Sequence, residues 1–113
     1  MIVATIRMRT SSENRKELTQ TFSSLSGPIL TSKGCKSCRL YREVGNDDAI
    51  VLIEEWEQRG DWESHLESNE FSVLLGAMSL VHDPVAVEFK LLNQVSEIKT
   101  IQEIRGKEWF KTP

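Results

Sequence analysis

Residues 49–57 read Ala-Ile-Val-Leu-Ile-Glu-Glu-Trp-Glu, and this stretch decides the fold. In an extended chain Ile50, Leu52, Glu54 and Trp56 fall on one side, and Val51, Ile53, Glu55 and Glu57 fall on the other. Both sides are apolar over the first half, the pattern of a strand covered on both faces. Helices of the same chain supply one cover. The other is expected to be a second copy of the same sheet, which makes the protein a two-fold homodimer. A monomer covered by its own C-terminal arm is the alternative.

Working outward from this strand, Cys38 to Val44 reads as its neighbour, joined through the turn cluster Gly45-Asn46-Asp47-Asp48, so the two form an antiparallel hairpin. Ile2 to Arg9 alternates, with Ile2, Ala4, Ile6 and Met8 on one face, and predicts a further strand. Thr10-Ser11-Ser12-Glu13 offers N-cap residues with an acid in the first turn, so a helix starts near Ser11 or Ser12. Leu18, Phe22, Leu25 and Ile29 form its apolar stripe. Gly27-Pro28 either kinks that helix or ends it, and Gly34 is the expected stop.

Downstream, Asp61 is placed to cap a helix carrying Trp62, His65 and Leu66. Ser68 or Asn69 caps a second one with Phe71, Leu74, Leu75 and Met78. Pro84 opens a last strand, Val85 to Leu92. The order β-α-β-β-α-β, with the second helical region broken, predicts an α+β protein with a ferredoxin-like antiparallel sheet, paired as a dimeric α/β barrel. The domain spans residues 1–93. Residues 94–113 form an amphipathic arm, with Val95, Ile98, Ile101 and Ile104 at intervals of three before Trp109-Phe110. The arm is expected to pack on its own sheet or on a partner subunit.

With 113 residues, the chain is one domain that needs no disulfides to close its core. Its hydrophobic fraction of 39% and charged fraction of 27% are those of a folded soluble protein rather than a disordered one. Fourteen basic residues against seventeen acidic ones give a net charge of −3, with no basic run longer than two. A surface that tracks nucleic-acid phosphates is therefore disfavoured. No apolar run approaches a membrane span and no signal peptide opens the chain, so the expected location is the cytoplasm.

The hairpin strand ending Glu54-Glu55-Trp56, His65-Leu66 nine residues later, Phe71, and Gly34-Cys35 before the second strand together resemble the antibiotic biosynthesis monooxygenase family, and within it the small quinol monooxygenases. The similarity runs over about residues 2–93 and is densest from Ile50 to Leu66. It implies a dimeric α+β barrel. It also implies an oxidation of a small aromatic quinol or phenol by dioxygen that needs neither metal nor other cofactor. Triplet dioxygen reacts slowly with closed-shell molecules, whereas a deprotonated quinol is electron-rich enough to pass it one electron. The protein must then supply a base, an apolar chamber and donors for the oxyanion.

His65 is the candidate base, since free imidazole titrates near neutrality. Trp56 is the second catalytic candidate, lining the chamber and donating its indole N–H. Tyr41, Glu54 and Phe71 are the candidate substrate-binding residues, with Glu54 placed to orient His65 or a substrate hydroxyl. Plainer roles compete with each: a packing or capping histidine, a core tryptophan, a solvated carboxylate, and for His82 a loop position beside Asp83-Pro84. The chain also departs from the family. Ala4 and Thr5 stand where oxygenase members often present an asparagine, and Leu74-Leu75-Gly76-Ala77 replaces the helix histidine of haem-degrading members. Haem degradation is disfavoured on that ground.

Cys35-Lys36-Ser37-Cys38 is spaced like a redox pair or half a zinc site. No further cysteine pair completes a metal set, and the pair enters a strand rather than a helix N-terminus. Two reduced thiols, one of them buried, are expected. Two other functions compete with the oxygenase: a non-catalytic small-molecule-binding or stress-associated dimer of the same fold, and an isomerase using the same pocket.

Overall fold

A computed structural model describes residues 1–78 and 88–92. Among these, four strands and three helices follow one another as β1 (Ile2–Arg9), α1 (Ser12–Leu30), β2 (Cys35–Glu43), β3 (Asn46–Trp56), α2 (Arg59–Leu66), α3 (Asn69–Met78) and β4 (Glu88–Leu92). The strands form one sheet in the order β2-β3-β1-β4, antiparallel throughout. This is the ferredoxin-like α+β arrangement predicted from the alternation of β1 and β3. The expected arm, residues 94–113, lies outside the described residues, as do His82 and the first part of the last predicted strand.

The alternation fixes which face meets the helices. Ile2, Ala4, Ile6 and Met8 of β1 and Ile50, Leu52 and Trp56 of β3 are all buried, and they pack with Leu18 and Ile29 of α1, Trp62 of α2, and Phe71, Leu74 and Met78 of α3. Val3, Thr5, Arg7, Val51 and Ile53 line the opposite face and stay half-buried. Tyr41 belongs to that open face, because it pairs with Val51.

Local chemistry explains the element ends. The Ser11 hydroxyl accepts from the Asn14 backbone N–H at 3.2 Å and caps α1, with Glu13 in its first turn. The helix runs through Gly27-Pro28 to Leu30. A proline so near the end removes one ladder bond only, while the Thr31 and Ser32 hydroxyls both donate to the Pro28 carbonyl, at 3.0 and 3.1 Å. Ile29, fully buried, anchors this last turn.

Three boundaries differ from the sequence expectation. β2 begins at Cys35 rather than Cys38, because a register shift between Cys35 and Ser37 lets the pairing continue through an irregular step. The expected four-residue turn shrinks to Val44-Gly45, with Gly45 at φ 86° and β3 already under way at Asn46. Gln58, not Asp61, occupies the N-cap of α2, and Asp61 sits in its first turn. The Asp61 carboxylate is packed against Gly34, where an added Cβ would meet it at 2.1 Å, and Gly34 itself has φ 79°. No described helix is long and apolar enough to cross a membrane.

Candidate functional site

Glu54 breaks the apolar run on the inner face of β3. Its neighbours in the sheet are Ala4 on β1 and Cys38 on β2, both small, and they leave room for a carboxylate in the plane of the core. Glu54 is only 1% exposed. A charge buried so deeply needs a partner, and α2 provides it. The Nε2 atom of His65 lies 2.8 Å from Oε2 of Glu54, with both side chains 1% exposed. The two atoms are close but not aligned for a hydrogen bond, so His65 Nε2 is left without one.

The helices position His65 through one serine. The Ser68 hydroxyl donates to the His65 carbonyl at 2.6 Å and accepts from the Phe71 backbone N–H at 3.1 Å. It thereby closes the end of α2 and opens α3 with the same oxygen. The His65 ring stacks on Trp56 with centroids 4.7 Å apart, and Phe71 meets it edge-on at 5.1 Å. The Trp56 indole N–H is buried without an acceptor among the described residues.

Two thiols complete the cluster. Cys38 Sγ donates to Glu54 Oε2 at 3.7 Å. A regular strand would put residues three apart on opposite faces, but the register shift places Cys35 opposite Trp56 and Cys38 opposite Glu54, so both thiols share the inner face. Burial, and then the Glu54 carboxylate, push both thiols above their ordinary value, Cys38 furthest. Both are free and held as neutral thiols, the reverse of an activated redox cysteine. Among the described residues no three His, Cys, Asp or Glu side chains form a group able to hold a metal ion.

Four of the five sequence candidates, His65, Trp56, Glu54 and Phe71, thus meet in one buried cluster. Tyr41 does not join them. It lies on the open face of the sheet, 45% exposed, because its register partner is Val51 rather than a core-face residue. Sequence reasoning passed over Cys38 as a neighbour of Glu54. Only the strand register reveals it. Ser68 was seen as a cap, but its second bond, to the carbonyl of His65, was not.

The sequence profile of the antibiotic biosynthesis monooxygenase family matches residues 1–74. Among solved structures the chain is similar to Rv0793 from Mycobacterium tuberculosis, with a TM-score of 0.74 at 20% identity, covering 86% of this chain and 97% of that one. It is similar also to a putative antibiotic biosynthesis monooxygenase from Deinococcus radiodurans, with a TM-score of 0.74 at 15% identity over 87% and 96% of the two chains. A third, from Nitrosomonas europaea and of the same description, gives a TM-score of 0.76 at 11% identity over 85% and 100%. At these identities the likeness is one of fold. No match is found among curated proteins.

Proposed function

The chain belongs to the antibiotic biosynthesis monooxygenase family, and on that premise we propose that it oxidises a small aromatic quinol or phenol with dioxygen as a cytoplasmic homodimer, with His65 as the base and no cofactor. The observation that carries this reading is the pair of buried nitrogens at the site. Trp56 Nε1 has no acceptor among the described residues, and His65 Nε2 has only an unaligned contact. Buried polar groups are nearly always satisfied, and an oxygen of a bound substrate is what would satisfy these two.

His65 takes the phenolic proton, and the Glu54 carboxylate beside the ring stabilises the positive charge that results. The phenolate passes one electron to dioxygen, and the radical pair combines at a ring carbon that bears hydrogen. The peroxide so formed receives the proton from His65. His65 then removes the hydrogen of that carbon as a proton while the O–O bond breaks. The carbon becomes a carbonyl, and the departing hydroxide takes the proton to leave as water. One oxygen atom enters the product and one is reduced to water. The Trp56 indole N–H donates to the substrate oxyanion, and Phe71, itself edge-on to the imidazole, lines the site beside it.

A second reading has one observation in its favour. Ala4, directly opposite Glu54, offers a methyl group where oxygenase relatives often present an amide. A site without that donor suits a binding protein that no longer turns over.

Dioxygen uptake separates the two. Metal-stripped protein is assayed with hydroquinones and naphthols against an autoxidation control. The oxygenase gives uptake well above the control, reduced at least 100-fold in His65→Ala, the scale of a general base. Uptake no faster than autoxidation with every substrate would sink the oxygenase. A saturable rise in Tm with the same compounds would then favour the binding protein.

A further inference from the structure

A regular ladder continued from the Cys35–Trp56 pair would set Ser37 opposite Glu54, but the register shift between Cys35 and Ser37 sets Cys38 there instead. The buried carboxylate therefore faces a thiol and not a hydroxyl. Cys38 is buried, and its Sγ donates to Glu54 Oε2 at 3.7 Å. The same oxygen lies 2.8 Å from His65 Nε2. The thiol is hydrogen-bonded to that atom, whereas the imidazole nitrogen is not. We propose that Cys38 is a positioning residue for the base: by giving its S–H to Glu54 Oε2, it meets that oxygen's demand for a donor and leaves His65 Nε2 free to take a proton from a substrate. The role of His65 as base rests on the oxygenase reading, while the contact between Cys38 and Glu54 does not.

A thiol suits this role in three respects. It packs as a small hydrophobe, and Cys38 belongs to the core with Ala4, Trp56 and Phe71. Its S–H is a weak donor, so Glu54 keeps the negative charge that stabilises a protonated imidazole. The proton also stays in place. Burial first, and the Glu54 carboxylate next, push the thiol above its ordinary value, so the donor persists wherever an imidazole titrates. Among the described residues, Glu54 of β3, His65 of α2 and Cys35 of β2 are the titratable groups that act on this thiol or touch its partner. Ala4 of β1 and Phe71 of α3 close the cluster without charge.

Taking the thiol away has a definite consequence. Glu54 Oε2 loses that hydrogen bond, and a buried acceptor seldom stays without a donor. The nitrogen at hand is His65 Nε2, which needs only a small turn to align. The carboxylate then holds the imidazole N–H, which favours the protonated ring and ties up the atom that the reaction needs.

The test follows the His65 ring by NMR titration of the full chain, its signal identified by its loss in His65→Gln. Cys38→Ala should raise the His65 midpoint by about half a pH unit or more. Cys38→Ser, which restores a donor, should bring it back toward the parent. In a Glu54→Gln background, Cys38→Ala should leave the midpoint where Glu54→Gln alone puts it, because the effect runs through the carboxylate. A thiol that merely fills space would lower Tm in Cys38→Ala without moving the titration. An unmoved midpoint, or an equal shift with and without Glu54, overturns the proposal. In the active enzyme the acid limb of the dioxygen-uptake profile should rise with the midpoint, and a limb that stays in place would detach Cys38 from the reaction. The titration itself needs no turnover, so absent uptake removes the oxygenase while the His65 midpoint still decides the role of Cys38.

Discussion

The two ends of one sheet face treat polarity in opposite ways. At the Glu54 end a carboxylate, an imidazole and a thiol are sealed together in the core, with Glu54 and His65 side chains 1% exposed. At the Ile50 end the charged groups, Arg42 among them, stay at the surface, and the sheet beneath is apolar. Only two pleats of β3 separate Ile50 from Glu54. What differs is the covering helix. α1 lies across the Ile50 end with its serine and threonine hydroxyls bonded to its own carbonyls, so it brings no partner for a buried charge. α2 brings His65. A carboxylate is tolerated inside where a complementary group arrives from above, and nowhere else along this strand.

The sharpest way to break that comparison is to remove one member of the pair. Glu54→Leu leaves the imidazole buried without its carboxylate and should cost about 3–5 kcal/mol of stability. The double variant Glu54→Leu/His65→Leu should recover most of that loss, since a buried pair exchanged for hydrophobic residues is often neutral or stabilising. At the other end, Ile50→Val should cost only about 0.5–1.5 kcal/mol. Urea unfolding of the four proteins gives the numbers. A double variant no more stable than Glu54→Leu alone would mean that the two residues do not act as a unit, and the distinction between the ends would lose its basis.

The thiols report on the same contrast with a smaller effect. Burial and the Glu54 carboxylate raise Cys38 well above its ordinary value near 9.0, and Cys35 less so. The folded protein therefore holds the Cys38 proton where the unfolded chain has lost it. Stability should be flat up to about pH 9 and then fall by about 1.4 kcal/mol for each further pH unit from Cys38. At pH 8 the native protein should react slowly with iodoacetamide, at Cys35 before Cys38, and mass spectrometry follows both. Glu54→Gln removes the repulsion and leaves the burial, so it should speed both reactions. Rates unchanged in Glu54→Gln would show that the carboxylate does not act on the thiols.

Most of the fold was legible because each element announces itself locally. The alternation of Ile2 to Arg9, the Ser11 cap and the Leu18–Ile29 stripe all depend on neighbours in sequence, and all appear in the structure. The candidate site was legible in residue types, as a carboxylate, a tryptophan and a histidine, because these are expensive to bury and conspicuous in an apolar run. What escaped depended on register. The irregular step between Cys35 and Ser37 moves a thiol from one face to the other, and nothing in Cys-Lys-Ser-Cys signals it. The same register puts Tyr41 opposite Val51 and so on the open face, away from Glu54. Of the two options left open at Gly27-Pro28, the structure takes the one in which helix α1 continues, and the buried Ile29 beyond the proline decides between them.

The open face carries its own charged pair, which measures how differently the two faces are solvated. Arg7 on β1 forms a bidentate salt bridge with Glu43 on β2, and both side chains are about one-third exposed. The Arg7 guanidinium holds the Glu43 carboxyl below its ordinary value of 4.5. A depressed carboxylate contributes stability above the unfolded value and loses it as pH falls through the folded one. Arg7→Gln should therefore lower Tm slightly at pH 7, and the difference from the parent should shrink as the pH falls below 4.5 and through the lowered value of the folded protein. Because solvent screens the pair, the effect should be far smaller than that of Glu54→Leu. If instead Arg7→Gln at pH 7 rivals Glu54→Leu and its Tm depends on protein concentration, the open face is covered in solution by a second copy of the chain, and its exposure describes the protomer alone.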